Sequence, residues 1–234
     1  MPPIVRLELG PARAARWLAL ATAAMLGACV LVTSLSITLG SPSMYGLVPI
    51  FDLNREASVP AGYSALLLLA AALLLALAAS VERSREGRLW SYWAVLALGF
   101  AYLAADELVA VHEKLNRPLQ DLLGASRDTT TWVVAGALGA LAAGAFFLPF
   151  LRALPAGLAA RFVLAGAVYV GSAVGLETVA TQLGYEAAGG GGYGWATLGL
   201  VALEEGGEMA GVALFVWVLL DHLRAAGARL ELRF

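Results

Sequence analysis

The chain has 234 residues, a mean hydropathy of +0.79 and only 14% charged residues, whereas about a quarter of a soluble domain is charged. This composition excludes an ordinary soluble domain and indicates a protein whose solvent is the lipid bilayer. A net charge of −2 without a basic patch argues against nucleic-acid binding, and a single cysteine excludes an internal disulfide or a multi-cysteine metal site.

Six apolar windows are each long enough to cross about 30 Å of hydrocarbon as a helix. They span residues 17–39, 60–81, 89–113, 130–150, 157–184 and 195–220. We therefore predict an all-α fold, a polytopic membrane protein with one domain over residues 1–234 that forms a six-transmembrane-helix bundle.

The basic residues predict the orientation of this bundle, because cytoplasmic loops carry an excess of lysine and arginine. Four basic residues fall on one side of the membrane, namely Arg55, Lys114, Arg117 and Arg127. The other eleven fall on the side of the chain termini. The N and C termini are thus expected to be cytoplasmic, with 40–59, 114–129 and 184–194 facing outward.

The first outward segment contains the run Asp52-Leu-Asn54-Arg-Glu56. This D-x-N-x-E pattern resembles the opening of a calcium-binding loop. Ala57 occupies the position where such a loop needs glycine, and the distal glutamate is missing. A solvated loop or a cap for the next helix therefore explains the run better than calcium binding does.

The third window ends in the second unusual stretch of the chain, which carries five polar side chains. They are Tyr102, Asp106, Glu107, His112 and Glu113. If the helix continues to the end of this window, Tyr102, Asp106 and Glu113 lie on one face of it. Glu107 and His112 then flank that face.

The fifth and sixth windows also carry acids within apolar sequence. Glu177 lies in the fifth window, with Thr181 one helical turn later. The sixth window contains Glu204, Glu205 and Glu208. Glu204 and Glu208 share one face of a helix, and the Gly207-x-x-x-Gly211 pattern beside it favours close approach of another backbone.

These acids fall at similar depths in the outer half of the membrane. Inserting an aspartate at the centre of a spanning helix costs about 2.5 to 3.5 kcal/mol of free energy. No lysine lies inside these windows, and their one arginine, Arg161, lies at the opposite end of the fifth window from Glu177. The sequence therefore predicts that a cation, shared protons or a water-filled cavity compensates their charge.

The leading hypothesis is a divalent-metal site of the kind a metal-dependent membrane enzyme would use on a small-molecule or lipid substrate. The expected ligands are Asp106, Glu177, Glu204, Glu208, His112 and Glu113. The expected second shell is Tyr102, Glu107, Thr181 and Glu205. Oxygen donors with at most one imidazole are compatible with Fe, Mn, Zn, Mg or Ca.

Two alternatives remain open at this point. The same carboxylates are appropriate for a small transporter that moves protons or cations across the membrane. They are also compatible with a structural membrane protein in which protonated acids hydrogen-bond to one another and fix helix packing.

The combination of the Asp52–Glu56 run, the Asp106-Glu107 and His112-Glu113 pairs, and Glu204-Glu205 with Glu208 resembles a group of uncharacterised bacterial multipass membrane proteins. The resemblance covers most of the chain. It implies a multi-pass protein of the bacterial inner (cytoplasmic) membrane, with the lipid bilayer as its partner, and it implies no activity.

Overall fold

The computed structural model describes residues 4–6, 10–126, 131–183, 194–227 and 231–233, except for the side chains of residues 4–6, 181 and 231–233. The described part is built mainly from helices. In chain order they are α1 (Pro11–Leu39), a 3₁₀ turn (Met44–Gly46), α2 (Leu47–Phe51), α3 (Val59–Ser84), α4 (Trp90–Val109), α5 (Val111–Leu123), α6 (Trp132–Ala153), α7 (Ala156–Val170), a π-helical segment (Gly171–Leu176), α8 (Glu177–Gln182) and α9 (Trp195–Ala225). Two strands, β1 (Ile4–Arg6) and β2 (Glu231–Arg233), pair antiparallel and bring the two ends of the chain together.

Six helical spans of the described chain are long and apolar enough to cross a membrane. They are α1, α3, α4, α6, the run Ala156–Ala180 and α9, and each corresponds to one predicted window. Large apolar side chains cover their outer surfaces, and Leu73, Leu98 and Leu141 are 65 to 71% exposed. Such a surface would be unfavourable in water but suits lipid, so the fold indicates a multipass membrane protein.

Successive long helices run in opposite directions, which gives the bundle two distinct ends. We call one of them the distal end. It carries residues 40–58, residues 110–126, Thr131 and the first turn of α9. The paired strands β1 and β2 belong to the opposite end, called the terminal end.

The helices α3 and α9 form the centre of the bundle. Half of the most apolar stretch of each is buried by other helices, compared with 11 to 17% for the other four spans. Leu75 of α3 and Leu219 of α9 are completely buried. The carboxylates of α9 therefore lie on a central helix.

An aromatic cluster fills the half of the bundle nearer the terminal end. The ring of Trp93 meets Phe150 edge-on at 5.0 Å between centroids, and Phe100 stacks on Phe215 at 4.8 Å. Aromatic pairs of this kind pack tightly without polar groups. The ionisable side chains predicted to form a site all lie in the other half, towards the distal end.

Two of the predicted windows are not uniform α-helices. The prediction that the third window continues to Glu113 was wrong, because Ala110 adopts the left-handed conformation (φ 52°, ψ 51°) and separates α4 from α5. Glu113 consequently does not share a helix face with Tyr102 and Asp106. In the fifth window, the π-helical turn at Gly171–Leu176 interrupts the α-helix and shifts the register of Glu177.

Candidate metal centre at the distal end

The N-terminus of α5 is held by the side chain of Asp106, which lies one turn before the end of α4. The N-cap residue, Ala110, has no side-chain acceptor for the free N–H groups of the first turn. Instead, Oδ1 of Asp106 accepts a hydrogen bond from the backbone N–H of His112 at 3.1 Å. The Ala110 N–H donates to the carbonyl oxygen of Asp106 at 2.7 Å. These contacts stabilise the left-handed turn and place His112 and Glu113 in the first turn of α5.

The same aspartate also fixes the imidazole ring of His112. Its Oδ2 lies 2.6 Å from Nδ1 of His112, and the two side chains are 12% and 30% exposed respectively. The ring of Trp132 contacts the imidazole edge-on at 4.7 Å between centroids. The orientation of His112 is therefore determined by contacts with two different helices, α4 and α6.

The middle of α5 is attached to the beginning of α6. Oδ1 of Asn116 accepts a hydrogen bond from the backbone N–H of Trp132 at 2.8 Å. The hydroxyl of Thr131, which is 3% exposed, donates to the carbonyl oxygen of Asn116 at 3.0 Å. This attachment keeps Trp132 against His112.

The segment between α2 and α3 brings a third ligand-type side chain, Glu56, to the same place. Before it, Oδ1 of Asp52 accepts a hydrogen bond from the Asn54 N–H at 3.1 Å, which is an Asx turn, and Leu53 is buried. After it, Oγ of Ser58 caps α3 by accepting from the Ala61 N–H at 3.3 Å. Glu56 is thus held between two anchored residues.

Glu56, His112 and Glu113 each offer one ligand atom, and these three atoms lie within 4.8 Å of one another. Ligand atoms in a tetrahedral shell are about 3.4 Å apart when each bond is about 2.1 Å. Small side-chain rotations are therefore sufficient to bring the three atoms to coordination distance.

The carboxylate of Glu56 is in an unusual environment. Its Oε2 is buried and has no hydrogen-bond partner in the described part of the structure. Burial raises the pKa of Glu56; the neighbouring His112 opposes this effect, and Glu113 adds to it. A buried carboxylate oxygen without a donor is costly, so a proton, a water molecule or a metal cation is needed to satisfy it.

Small solutes have access to this segment. An open cleft of about 390 Å³ is lined by residues on both sides of Glu56, including Arg55, Glu56 and Ser58.

The predicted ligand Glu208 and the predicted second-shell residues Glu107 and Glu205 lie deeper in the bundle than this group. The carboxyl group of Glu107 is within electrostatic range of Glu56 and Asp106, and Glu205 is within range of Glu107 and Glu56. Glu208 is in turn within range of Glu205 and Glu107. These acids extend as a connected series from the distal end into the bundle.

Glu204 is 6% exposed, Glu177 is partly buried, and both interact with other groups. Among the described residues, no three of the predicted core ligands Asp106, Glu177, Glu204 and Glu208 have ligand atoms within 4.8 Å of one another. Tyr102 is 54% exposed on the outside of α4, so it does not face these acids. The side chain of Thr181 lies outside the described residues.

The glycines of α9 have the predicted packing role. A Cβ at Gly211 would lie 2.8 Å from the backbone nitrogen of Tyr169 in α7, and one at Gly207 would overlap Oγ of Ser172 in the π-helical segment. The close approach predicted from the Gly207-x-x-x-Gly211 pattern is confirmed.

The sequence predicted His112 and Glu113 as ligands, and the prediction did not include Glu56. The available signal was the D-x-N-x-E run, which sequence reasoning explained as a solvated loop or helix cap. The structure shows an Asx turn at Asp52 within this run, and the cap of α3 is Ser58, just outside it. Only the tertiary contact between this segment and α5 gives Glu56 its place in the group.

Comparison with known proteins identifies a family but no activity. The family model described as Domain of unknown function (DUF8692) matches residues 14–223, about nine-tenths of the chain. No curated protein and no solved structure matches the chain.

Proposed function

The chain belongs to the DUF8692 family. For this member of the family, we propose a multipass membrane protein that binds one divalent metal ion at its distal end. The ligands are Glu56, His112 and Glu113. Asp106 holds the imidazole ring in the orientation that binding needs. Metal-dependent hydrolytic or redox chemistry on a small or lipidic substrate is the activity for which such a centre is suited.

The observation that carries this proposal is the buried, unpartnered Oε2 of Glu56 beside His112 and Glu113. A metal cation would satisfy this oxygen and neutralise both carboxylates. The hydrogen bond from His112 to Asp106 adds support, because metal-binding histidines usually donate their other ring N–H to a carboxylate. With Nδ1 held by Asp106, Nε2 is the ring nitrogen that binds the metal.

The donor set narrows the choice of metal. One imidazole and two carboxylates favour Zn²⁺, Mn²⁺ or Fe²⁺, whereas Mg²⁺ and Ca²⁺ prefer oxygen ligands alone. Three protein ligands leave at least one coordination position for water or a substrate. A metal in such a site supplies a Lewis acid and lowers the pKa of bound water.

The proposed membrane placement follows from the distribution of basic residues. Six spans put both chain termini on one side, and the excess of arginine assigns that side to the cytoplasm. The distal end then faces outward from the bacterial inner membrane. The metal site is accessible from the outside in this orientation.

The test is the metal content of the purified protein. After treatment with a chelator, the wild-type protein reloaded with Zn²⁺, Mn²⁺ or Fe²⁺ is expected to retain about one equivalent of one of these metals through gel filtration. Glu56→Gln and Glu113→Gln are expected to lose it. Glu86→Gln, which changes an exposed glutamate between α3 and α4, is the matched control and is expected to retain the metal.

Two further variants distinguish this site from one deeper in the bundle. Glu204→Gln and Glu208→Gln are expected to bind metal as the wild type does. Loss of metal in these two variants with retention in Glu56→Gln would instead support a site among the intramembrane acids. Absence of bound metal from every preparation would reject the proposal.

A second candidate function rests on the connected series of carboxyl groups Glu56, Glu107, Glu205 and Glu208. Acids at graded depths are appropriate for the movement of protons or cations between the outside and the membrane interior. Proteoliposomes containing a pH-sensitive dye test this function. Proton flux that Glu205→Gln abolishes, in protein that binds no metal, would favour transport over a metal centre.

A further inference from the structure

The helix α5 (Val111–Leu123) exposes large apolar side chains along one face. At about 100° per residue, Val111, Leu115, Leu119 and Leu122 fall within one arc of about 80°. In a helix that packs on a soluble domain, this apolar face would be the buried one. Here Leu115 and Leu122 are 42% and 80% exposed.

One side of the polar face of α5, which carries Asn116 and Gln120, makes contacts with the protein, whereas Glu113, Lys114, Arg117 and Asp121 are exposed. Its single buried residue is Gln120, which is 6% exposed. Asn116, on the same side, is hydrogen-bonded to the beginning of α6. On the leucine face, defined here as Val111, Leu115, Leu119 and Leu122, the side chains of Leu115 and Leu122 are exposed and those of Val111 and Leu119 are partly exposed, so this face needs an apolar surface outside the protein.

The position of α5 determines which surface that is. The 20 residues of α4 span about 30 Å, which is the thickness of the hydrocarbon core, so Val109 lies at its boundary. Only Ala110 separates Val109 from α5. At about 20 Å, α5 is too short to cross the membrane a second time.

A second contact fixes the direction of α5. Asn116 is hydrogen-bonded to Thr131 and Trp132. The spanning helix α6 begins at Trp132, so Asn116 also lies at the membrane boundary. Two positions along α5, Val111 and Asn116, are thus held at the same level. The axis of the helix must run along the boundary rather than away from it.

We infer that α5 lies along the outward-facing surface of the membrane, with its leucine face in the lipid acyl chains, the side that carries Asn116 and Gln120 against the protein, and its charged residues towards water. A short helix with a strongly apolar face and a strongly polar face is typical of such interfacial binding. The leucine face continues the exposed apolar surface of α4, where Leu108 and Val109 are 55% and 52% exposed. This inference rests on the proposed membrane insertion, and it holds His112 and Glu113 at the depth of the lipid headgroups.

Spin labels on single cysteines test the inference in the full-length protein. Cys29 is the only cysteine of the chain, so Cys29→Ala provides the background. Labels are attached in Leu122→Cys, on the leucine face, and in Arg117→Cys, on the exposed polar side of α5. Leu98→Cys, on the exposed surface of α4, reports on membrane insertion itself. The protein is reconstituted in phosphatidylcholine vesicles, and the access of oxygen and of a water-soluble nickel chelate to each label is measured.

The labels of Leu122→Cys and Leu98→Cys are expected to be reached by oxygen more than by nickel, and the label of Arg117→Cys by nickel more than by oxygen. Equal nickel access at positions 122 and 117, with position 98 in lipid, would overturn the inference and leave the proposed insertion intact. Spin–spin coupling between copies at position 122, with neither reagent gaining access, would also overturn it in favour of a protein interface. Nickel access at position 98 would reject membrane insertion and the inference together.

Discussion

Nδ1 of His112 lies 2.6 Å from Oδ2 of Asp106, and Oδ1 of the same carboxylate accepts a hydrogen bond from the backbone N–H of His112. One side chain thus begins a helix and orients an imidazole. The backbone turn at Ala110 and the direction of the ring are consequently set together. A substitution of Asp106 should therefore affect the position of the proposed ligands more than the packing of the spanning helices.

Asp106→Asn separates these two roles. The amide oxygen of asparagine still accepts the hydrogen bond from the His112 N–H, but the negative charge beside the ring is lost. Because such partners raise the basicity of a metal-binding histidine, we expect metal affinity to fall about 10- to 100-fold. Competition with a chromophoric chelator measures this change.

The control for this prediction is Asp121→Asn, which removes an exposed acid near the other end of α5. It should leave the affinity unchanged. Equal losses in both variants would mean that general negative charge, rather than the contact with His112, determines binding.

Glu56 should make metal binding depend on pH. Burial raises its pKa, and a metal binds only the ionised carboxylate, so protons compete with the metal up to a higher pH than for an exposed glutamate. The dissociation constant is expected to decrease as pH rises, because Glu56 and the imidazole of His112 must both be free of protons to bind the metal. Titrations across a pH series measure this, and in Glu56→Gln the remaining affinity should be weak and less dependent on pH.

The same pKa shift has the opposite effect on the stability of the metal-free protein. The stabilising contribution of protonated Glu56 is fully present below the pKa of glutamate in the unfolded chain, which is about 4.3. This contribution is lost as pH rises through the higher pKa of Glu56 in the folded protein. In the presence of a chelator, the melting temperature of the wild type should therefore fall relative to that of Glu56→Gln over this range. A constant difference between the two proteins would contradict the prediction.

Asn116 should affect the site through the attachment of α5 to α6. Asn116→Ala removes the acceptor for the Trp132 N–H and is expected to destabilise the protein by about 1 kcal/mol. It should also weaken metal binding, since Trp132 packs on His112. Asn116→Asp keeps an acceptor oxygen and should restore most of both properties; failure of this rescue would argue against the hydrogen bond as the cause.

Gly211 tests the close packing of α9 against α7. In Gly211→Ala the new Cβ would lie 2.8 Å from the backbone nitrogen of Tyr169, and we expect a loss of about 1 to 3 kcal/mol in the free energy of unfolding. Gly199→Ala, in the same helix, places its Cβ in open space and is expected to be neutral or slightly stabilising. Unfolding in detergent, followed by circular dichroism, compares the two variants.

The sequence by itself determined the class of fold. Six apolar stretches of sufficient length predict six spanning helices because the backbone must satisfy its own hydrogen bonds in lipid. The acids within these stretches also identified the half of the bundle that contains the ionisable groups. These features depend on composition and length, which are local properties of the chain.

The tertiary structure decided which of these residues meet. The sequence gives no signal for the left-handed turn at Ala110, because alanine favours helix and Asp106, which stabilises the turn, is four residues away. That turn moves His112 and Glu113 off the face of α4 and brings them to Glu56, which is more than fifty residues distant in the chain. Helical periodicity predicts neighbours only along one continuous helix, so a ligand group assembled from a loop and a separate short helix follows only from the packing of the chain.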